Sequence, residues 1–165
     1  MREMYHTYKD LGTVVGTEFE GEEGDPFYDP PQDYMLGVAR LQLEAISYLL
    51  DVDEATPIVD YKGQSFGSAL ISLFPTFSGP HEDLSLLLNS KLSLTITVKS
   101  LLGLPPTLTQ RYSALWCRYT FLGVDYVGPR LEVGMNREVG WETVVDVEVN
   151  EELCEWVKDA ALGVE

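Results

Sequence analysis

The stretch LSLTITVK at residues 92–99 constrains the fold more than any other part of the chain. Leu92, Leu94, Ile96 and Val98 alternate with Ser93, Thr95, Thr97 and Lys99. Successive residues of a strand point to opposite faces, so this alternation predicts a strand with one face buried and the other wet. A helix would send the same four apolar side chains to opposite sides of its axis. TVVDVEV at 143–149 repeats the pattern, with Val145, Val147 and Val149 facing one way and Val144, Asp146 and Glu148 the other. In ALWCRYTFLG, at 114–123, Leu115, Cys117, Tyr119 and Phe121 share a face. GSALISLF at 67–74 is strand-like too, and PIVDYKGQSFG at 57–67 reads as a short strand followed by a turn around Gly63.

Three segments depart from period two. At the end of the chain, Asn150 is a helix cap, Glu151 and Glu152 suit a positive helix terminus, and Leu153, Trp156, Val157 and Ala160 form one face. Gly163 is the expected stop, with LGVE at 162–165 opening a further strand. Residues 36–50, LGVARLQLEAISYLL, fit two templates. Leu41, Ala45, Tyr48 and Leu49 make a helical face, whereas Ala39, Leu41 and Leu43 make a strand face whose phase breaks before Ile46, as at a bulge or bend. Residues 1–12 have a helical period through Met1, Met4, Tyr5, Tyr8 and Leu11, ending at Gly12. They read either as the end of a longer, coiled-coil helix or as a short helix resting on the domain. Many short strands separated by Gly and Pro turns, with one late helix, predict a mainly β fold: an antiparallel β-sandwich of about eight strands.

A chain of 165 residues can build one such domain with a sizeable core. Its charge excludes several roles. There are 11 Lys and Arg against 27 Asp and Glu, a net charge of −16. Neutralising phosphates takes Lys and Arg, so nucleic acid is not an expected partner, and an anionic membrane would repel the chain. From Asp10 to Met35 there is no Lys or Arg, and residues 13–24 read as an acidic linker. The two cysteines, Cys117 and Cys154, form neither a disulfide framework nor a CxxC pair, and neither a signal peptide nor an apolar run of membrane-spanning length is visible. An intracellular, reducing compartment is the expectation.

The motifs of common chemistries are missing. There is no GxxxxGK[ST], GxGxxG or HExxH, and GQSFG at 63–67 has the GxSxG spacing but lies between two predicted strands, not at the strand-to-helix turn a nucleophile elbow needs. The only histidines, His6 and His81, have no evident partner in sequence, and Cys117 on its apolar face reads as a buried, inert thiol. DVDE at 51–54 brings three carboxylates together, but without EF-hand spacing, and reads as an acidic hairpin loop. No catalytic, cofactor or metal residue is assigned.

The order of these segments resembles a known architecture. LGVARLQLEAISYLLDVDEATPIVDYKGQSFGSALISLFP is similar to the closing three strands of a C2-type sandwich. KLSLTITVKSLLGLPP and SALWCRYTFLG look like the opening strands of one. The resemblance implies a circularly permuted C2-type sandwich over 25–165, with closing strands in 25–80 and opening strands in 91–165, and it favours strand for 36–50. The set of motifs also resembles the region that follows the forkhead-associated domain and coiled coil in kinesin-3 microtubule motors. A helix end like MREMYHTY, a motif like DPFYDP, segments like LGVARLQLEAISYLLDVDEATPIVDYKG, then CRYTFLG and NEELCEWVKDAAL follow in the same order. Tyr28 stands where that family more often has Trp. The loop GLPPTLTQRY at 103–112 has no Asp or Glu, so a shared calcium site lacks half its ligands and calcium independence is expected.

The resemblance implies a non-catalytic tail or stalk module that contacts a cargo adaptor or its own motor region. ATP and Mg²⁺ would be handled in a separate motor domain, which would also make the only microtubule contact. The parent would be a cytoplasmic, cytoskeletal protein and a homodimer if the first helix continues as coiled coil. The alternative is a free-standing, calcium-independent C2-type module binding protein or lipid. Lipid is disfavoured because KLSLTITVK supplies only Lys91 and Lys99. An enzyme of unknown type has no motif behind it. In DPFYDPP at 25–31, three prolines forbid a helix, and Phe27 and Tyr28 are too large for an acidic tail to carry idly. Docking one aromatic stabilises by several kcal/mol at roughly 25 cal/mol per Å². Phe27, with Tyr28 beside it, is therefore expected to anchor the linker on the sandwich, with partner contact as the other reading.

Overall fold

In the computed structural model the alternating stretch is the middle of a twelve-residue strand, and Leu92, Leu94, Ile96 and Val98 are all 1% exposed or less. The structure describes residues 32–78 and 83–165. The expectations for the first helix, the acidic linker, Phe27, Tyr28, His6 and His81 lie outside the described residues. The chain divides into two units, 1–34 and 35–165, and every described strand and helix belongs to the second.

Ten strands are described: β1 (Val38–Gln42), β2 (Val52–Val59), β3 (Ser65–Thr76), β4 (Lys91–Leu102), β5 (Ala114–Leu115), β6 (Arg118–Phe121), β7 (Val124–Val127), β8 (Leu131–Glu132), β9 (Arg137–Glu148) and β10 (Ala161–Val164). Two α-helical segments join them, the single turn α1 (Leu108–Arg111) and α2 (Glu151–Asp159). Eight strands form one antiparallel sheet in the order β7-β6-β10-β1-β2-β3-β4-β9, and β5 pairs with β8 separately.

The sheet is folded over on itself. β6 and β9 are six strands apart in the order, roughly 29 Å in a flat sheet, yet the rings of Tyr119 on β6 and Trp141 on β9 lie 5.1 Å apart. Register breaks between Pro57 and Val59, Leu70 and Ile71, and Val98 and Ser100 supply the curvature, because a bulge bends and twists its strand. The result is a β-sandwich-like fold with a single core between the two halves. β3 and β4 contribute Ile71, Leu73 and the alternating residues of 92–98, while Leu41, Leu162, Tyr119 and Phe121 face them.

Residues 36–50 are half strand, and the second half follows neither template. Ala39 and Leu41 are buried in β1, after which Glu44–Tyr48 is a 3₁₀ turn. Leu43, Ile46 and Leu49 recur every third residue and are all buried, which is the period of a 3₁₀ helix. Leu49 closes the turn in the left-handed region, φ 51°, and its burial offsets a backbone cost of about 1 kcal/mol. A second 3₁₀ turn, Leu84–Leu87, begins with the Asp83 carboxylate accepting the Ser85 N–H.

Two other expectations are corrected. DVDE is not a loop, since Val52–Glu54 already belongs to β2 and pairs with β3. Gly163 does not stop the last helix. α2 starts as expected, with the Asn150 side chain accepting the Leu153 N–H at 2.7 Å, but it ends at Ala160, which is extended. Pairing of β10 with β1 in the register Gln42↔Ala161 ends the helix, and Gly163 lies within that strand opposite Arg40.

Candidate functional site

The outward face of β2, β3, β4 and β9 carries the polar half of the alternating pattern. Ser72 donates to Asp53 Oδ1 at 2.9 Å, and Lys99 Nζ donates to Asp53 Oδ2 at 2.8 Å. The Lys99 hydrogen bond, with that of Ser72, holds the Asp53 carboxyl below the usual carboxylate range. Both carboxylate oxygens of the residue at the centre of DVDE are thus engaged within the sheet face. Ser93 hydrogen-bonds Asp146 across β4 and β9 in the same manner, and Lys99 also lies 5.9 Å from the Phe74 ring centroid. These are cross-strand pairs that stabilise the outer sheet face, on which Ser72 itself is buried.

At the β1–β2 junction, Val38, Arg40, Pro57, Val59 and Asp60 line a groove of about 380 Å³. The acid in this groove is already engaged. Asp60 Oδ1 accepts the N–H groups of Lys62 and Gln64 at 2.8 and 2.9 Å, closing the β2–β3 turn in which Gly63 has φ 80°. One guanidinium and one occupied carboxylate do not make a nucleophile and base.

At one end of the sandwich the two 3₁₀ turns and α2 pack on one another. Ile46, Leu87, Leu153 and Val157 are buried there, while Tyr48, Leu50, Leu86 and Trp156 remain exposed. The hairpin turn between β6 and β7 places Leu122 at φ 49° and Gly123 at φ 79°, with Leu122 about half exposed. Sequence patterning found the α2 face at this end but missed the 3₁₀ turn Glu44–Tyr48, because its apolar residues follow period three, not period two.

Among the described residues no three of His, Cys, Asp and Glu are placed to hold a metal ion, and no helix is long and apolar enough to cross a membrane. Cys117 is buried, as its place on an apolar face predicts, and desolvation raises its thiol from 9.0 to about 11. The folded thiol holds its proton more tightly than the unfolded one. Its contribution to stability is therefore whole below pH 9 and is lost as the pH rises through about 11. At pH 8 an alkylating reagent should leave Cys117 unmodified in the native protein and modify it in denaturant. Mass spectrometry of native and denatured samples reads the difference, and rapid native modification would contradict the burial.

A family model described as Kinesin protein 1B matches residues 1–38, the part that contains DPFYDPP. Kinesin-like protein KIF13A of Homo sapiens is 22% identical over 202 aligned positions, covering 100% of this chain and 11% of that protein. The mouse KIF13A and the human Kinesin-like protein KIF13B are each 23% identical, again over the whole of this chain and over 11% and 10% of their own lengths. The chain therefore spans about a tenth of these relatives, and along its full length it is similar, at low identity, to one region of kinesin-like proteins.

Proposed function

We propose that the chain is a non-catalytic tail or stalk module of a kinesin-3-like microtubule motor. It makes protein–protein contacts, with a cargo adaptor or with the motor region that it restrains. The observation that carries this reading is the extent of the likeness, which takes in the whole of this chain but only 11% of human KIF13A. That proportion supports one folded module within a long chain. On this reading ATP hydrolysis and its Mg²⁺ belong to a separate motor domain, which also makes the microtubule contact, and the parent works in the cytoplasm on the cytoskeleton. The module itself needs no cofactor and no calcium, consistent with the engagement of both Asp53 oxygens and the acid-free loop at 103–112. The C2-type, permuted strand order belongs to the same reading. The strong negative charge suits a basic partner surface and speeds the encounter.

The test is removal of residues 35–165 from the parent protein, followed by measurement of cargo distribution in cells and of microtubule-stimulated ATPase in vitro. A cargo-binding role predicts a severalfold loss of cargo at the normal destination, and a restraining role a severalfold rise in ATPase. If both stay unchanged, the reading is wrong.

A further inference from the structure

We infer that the free edge of β9 is a docking site for a basic, extended segment of a partner protein, which it takes on as a ninth strand. The inference rests on the protein-binding reading above and assigns that binding to one surface. β9 is twelve residues long and last in the strand order, so among the described residues only its β4 side is paired. The phase of that pairing follows from Val149, whose N–H donates to the Ser90 carbonyl at 2.9 Å. In an antiparallel ladder hydrogen-bonded and non-hydrogen-bonded pairs alternate. Val147, Val145 and Thr143 therefore turn their backbone groups toward β4, whereas Glu148, Asp146, Val144 and Glu142 turn theirs outward. The same four residues have exposed side chains. A row of unpaired donors and acceptors thus coincides with three carboxylates and an apolar residue, Val144, that is 57% exposed.

The chemistry of the row selects its occupant. Antiparallel pairing with a second copy would bring acids close to acids, which repel across a strand pair. A strand bearing Lys or Arg opposite Glu142, Asp146 and Glu148, with an apolar residue opposite Val144, satisfies both the backbone and the charges. Main-chain hydrogen bonds supply the affinity and the alternate side chains the specificity, as in other strand additions. The negative net charge steers such a segment inward.

The probe is the capped peptide Thr-Lys-Thr-Lys-Thr-Val-Thr-Lys-Thr, titrated into the full 165-residue chain and followed by amide NMR and hydrogen exchange. Shifts should centre on β9, and exchange at Glu142, Val144, Asp146 and Glu148 should slow about tenfold on saturation, as backbone hydrogen bonds form. V144P removes one outward N–H while leaving the β4 ladder intact, because Pro is tolerated on an open edge. It should weaken the peptide about fivefold to tenfold, the loss of one backbone hydrogen bond. A peptide N-methylated at alternate residues, with its charge unchanged, should bind at least tenfold more weakly than the parent peptide. Equal binding by V144P or by the N-methylated peptide would overturn strand addition, and dimerisation of the free chain through β9 would overturn the choice of occupant. No peptide shifts at β9 would also overturn the inference. The protein-binding reading would still stand if removing 35–165 altered cargo or ATPase, and would fall separately if it did not.

Discussion

Phe121→Ala lowers the melting temperature of the domain by roughly 10–20 °C. Phe121 ends β6 and, among the described residues, is the largest fully buried side chain, at 1% exposure. Its ring meets Trp156 of α2 edge to face, with centroids 5.6 Å apart and planes at 77°. Truncating a buried Phe removes its transfer free energy and leaves a cavity, at a cost of about 3–5 kcal/mol. For a unit of this size each kcal/mol shifts the midpoint by roughly 3–5 °C. Because Trp156 loses its partner, near-ultraviolet circular dichroism should change as well. Phe121→Leu keeps most of the volume and should cost about a third as much. A midpoint within a few degrees of the parent for Phe121→Ala would mean that α2 is not docked on the sheet through this contact.

Gly37→Ala is the second large effect, and it acts by crowding. A Cβ at this buried position would sit 2.7 Å from the Val59 carbonyl oxygen and 2.9 Å from both Ile58 Cγ2 and Phe66 Cε1. The first of these is backbone, so it cannot swing aside as a side chain would. The expected cost is about 1–3 kcal/mol, read by urea denaturation with the slope unchanged. A neutral result would show that the β1–β2 junction can spread. The position matters because β1 pairs with β2 only through Val38↔Val59 and Ala39↔Ile58, immediately after Gly37, and this short junction joins the two halves of the curled sheet.

Whatever a single periodicity determines was legible in the sequence. LSLTITVK and TVVDVEV became adjacent strands, with Leu94 opposite Val145 and the hydroxyls and acids outside. The cap at Asn150 was legible because its side chain answers a strictly local need, the orphan N–H of Leu153. The misreadings share a cause: distant partners outweighed local preference. DVDE looked like a loop because three acids seldom favour a strand, but Ser72 and Lys99, far along the chain, receive Asp53. Gly163 looked like a helix stop because β10 had no visible partner until β1 was placed beside it. The three-residue recurrence of Leu43, Ile46 and Leu49 was present in the sequence, and a test for period three would have found it. The β9 edge was half legible: Glu142, Asp146 and Glu148 stand out on the polar face, but only the sheet order shows that no described strand lies beyond them.

β1 and β10 run antiparallel with Ala39 opposite Val164, so position 38 and position 165 lie side by side at one end of the sandwich. A longer protein carrying this module would leave it close to where it came in, and the module would hang from the main line of the chain like a bead on a short loop. Tension along such a chain would pull β1 and β10 apart from their shared end, breaking their hydrogen bonds one after another instead of all at once. Unzipping of this kind yields at low force.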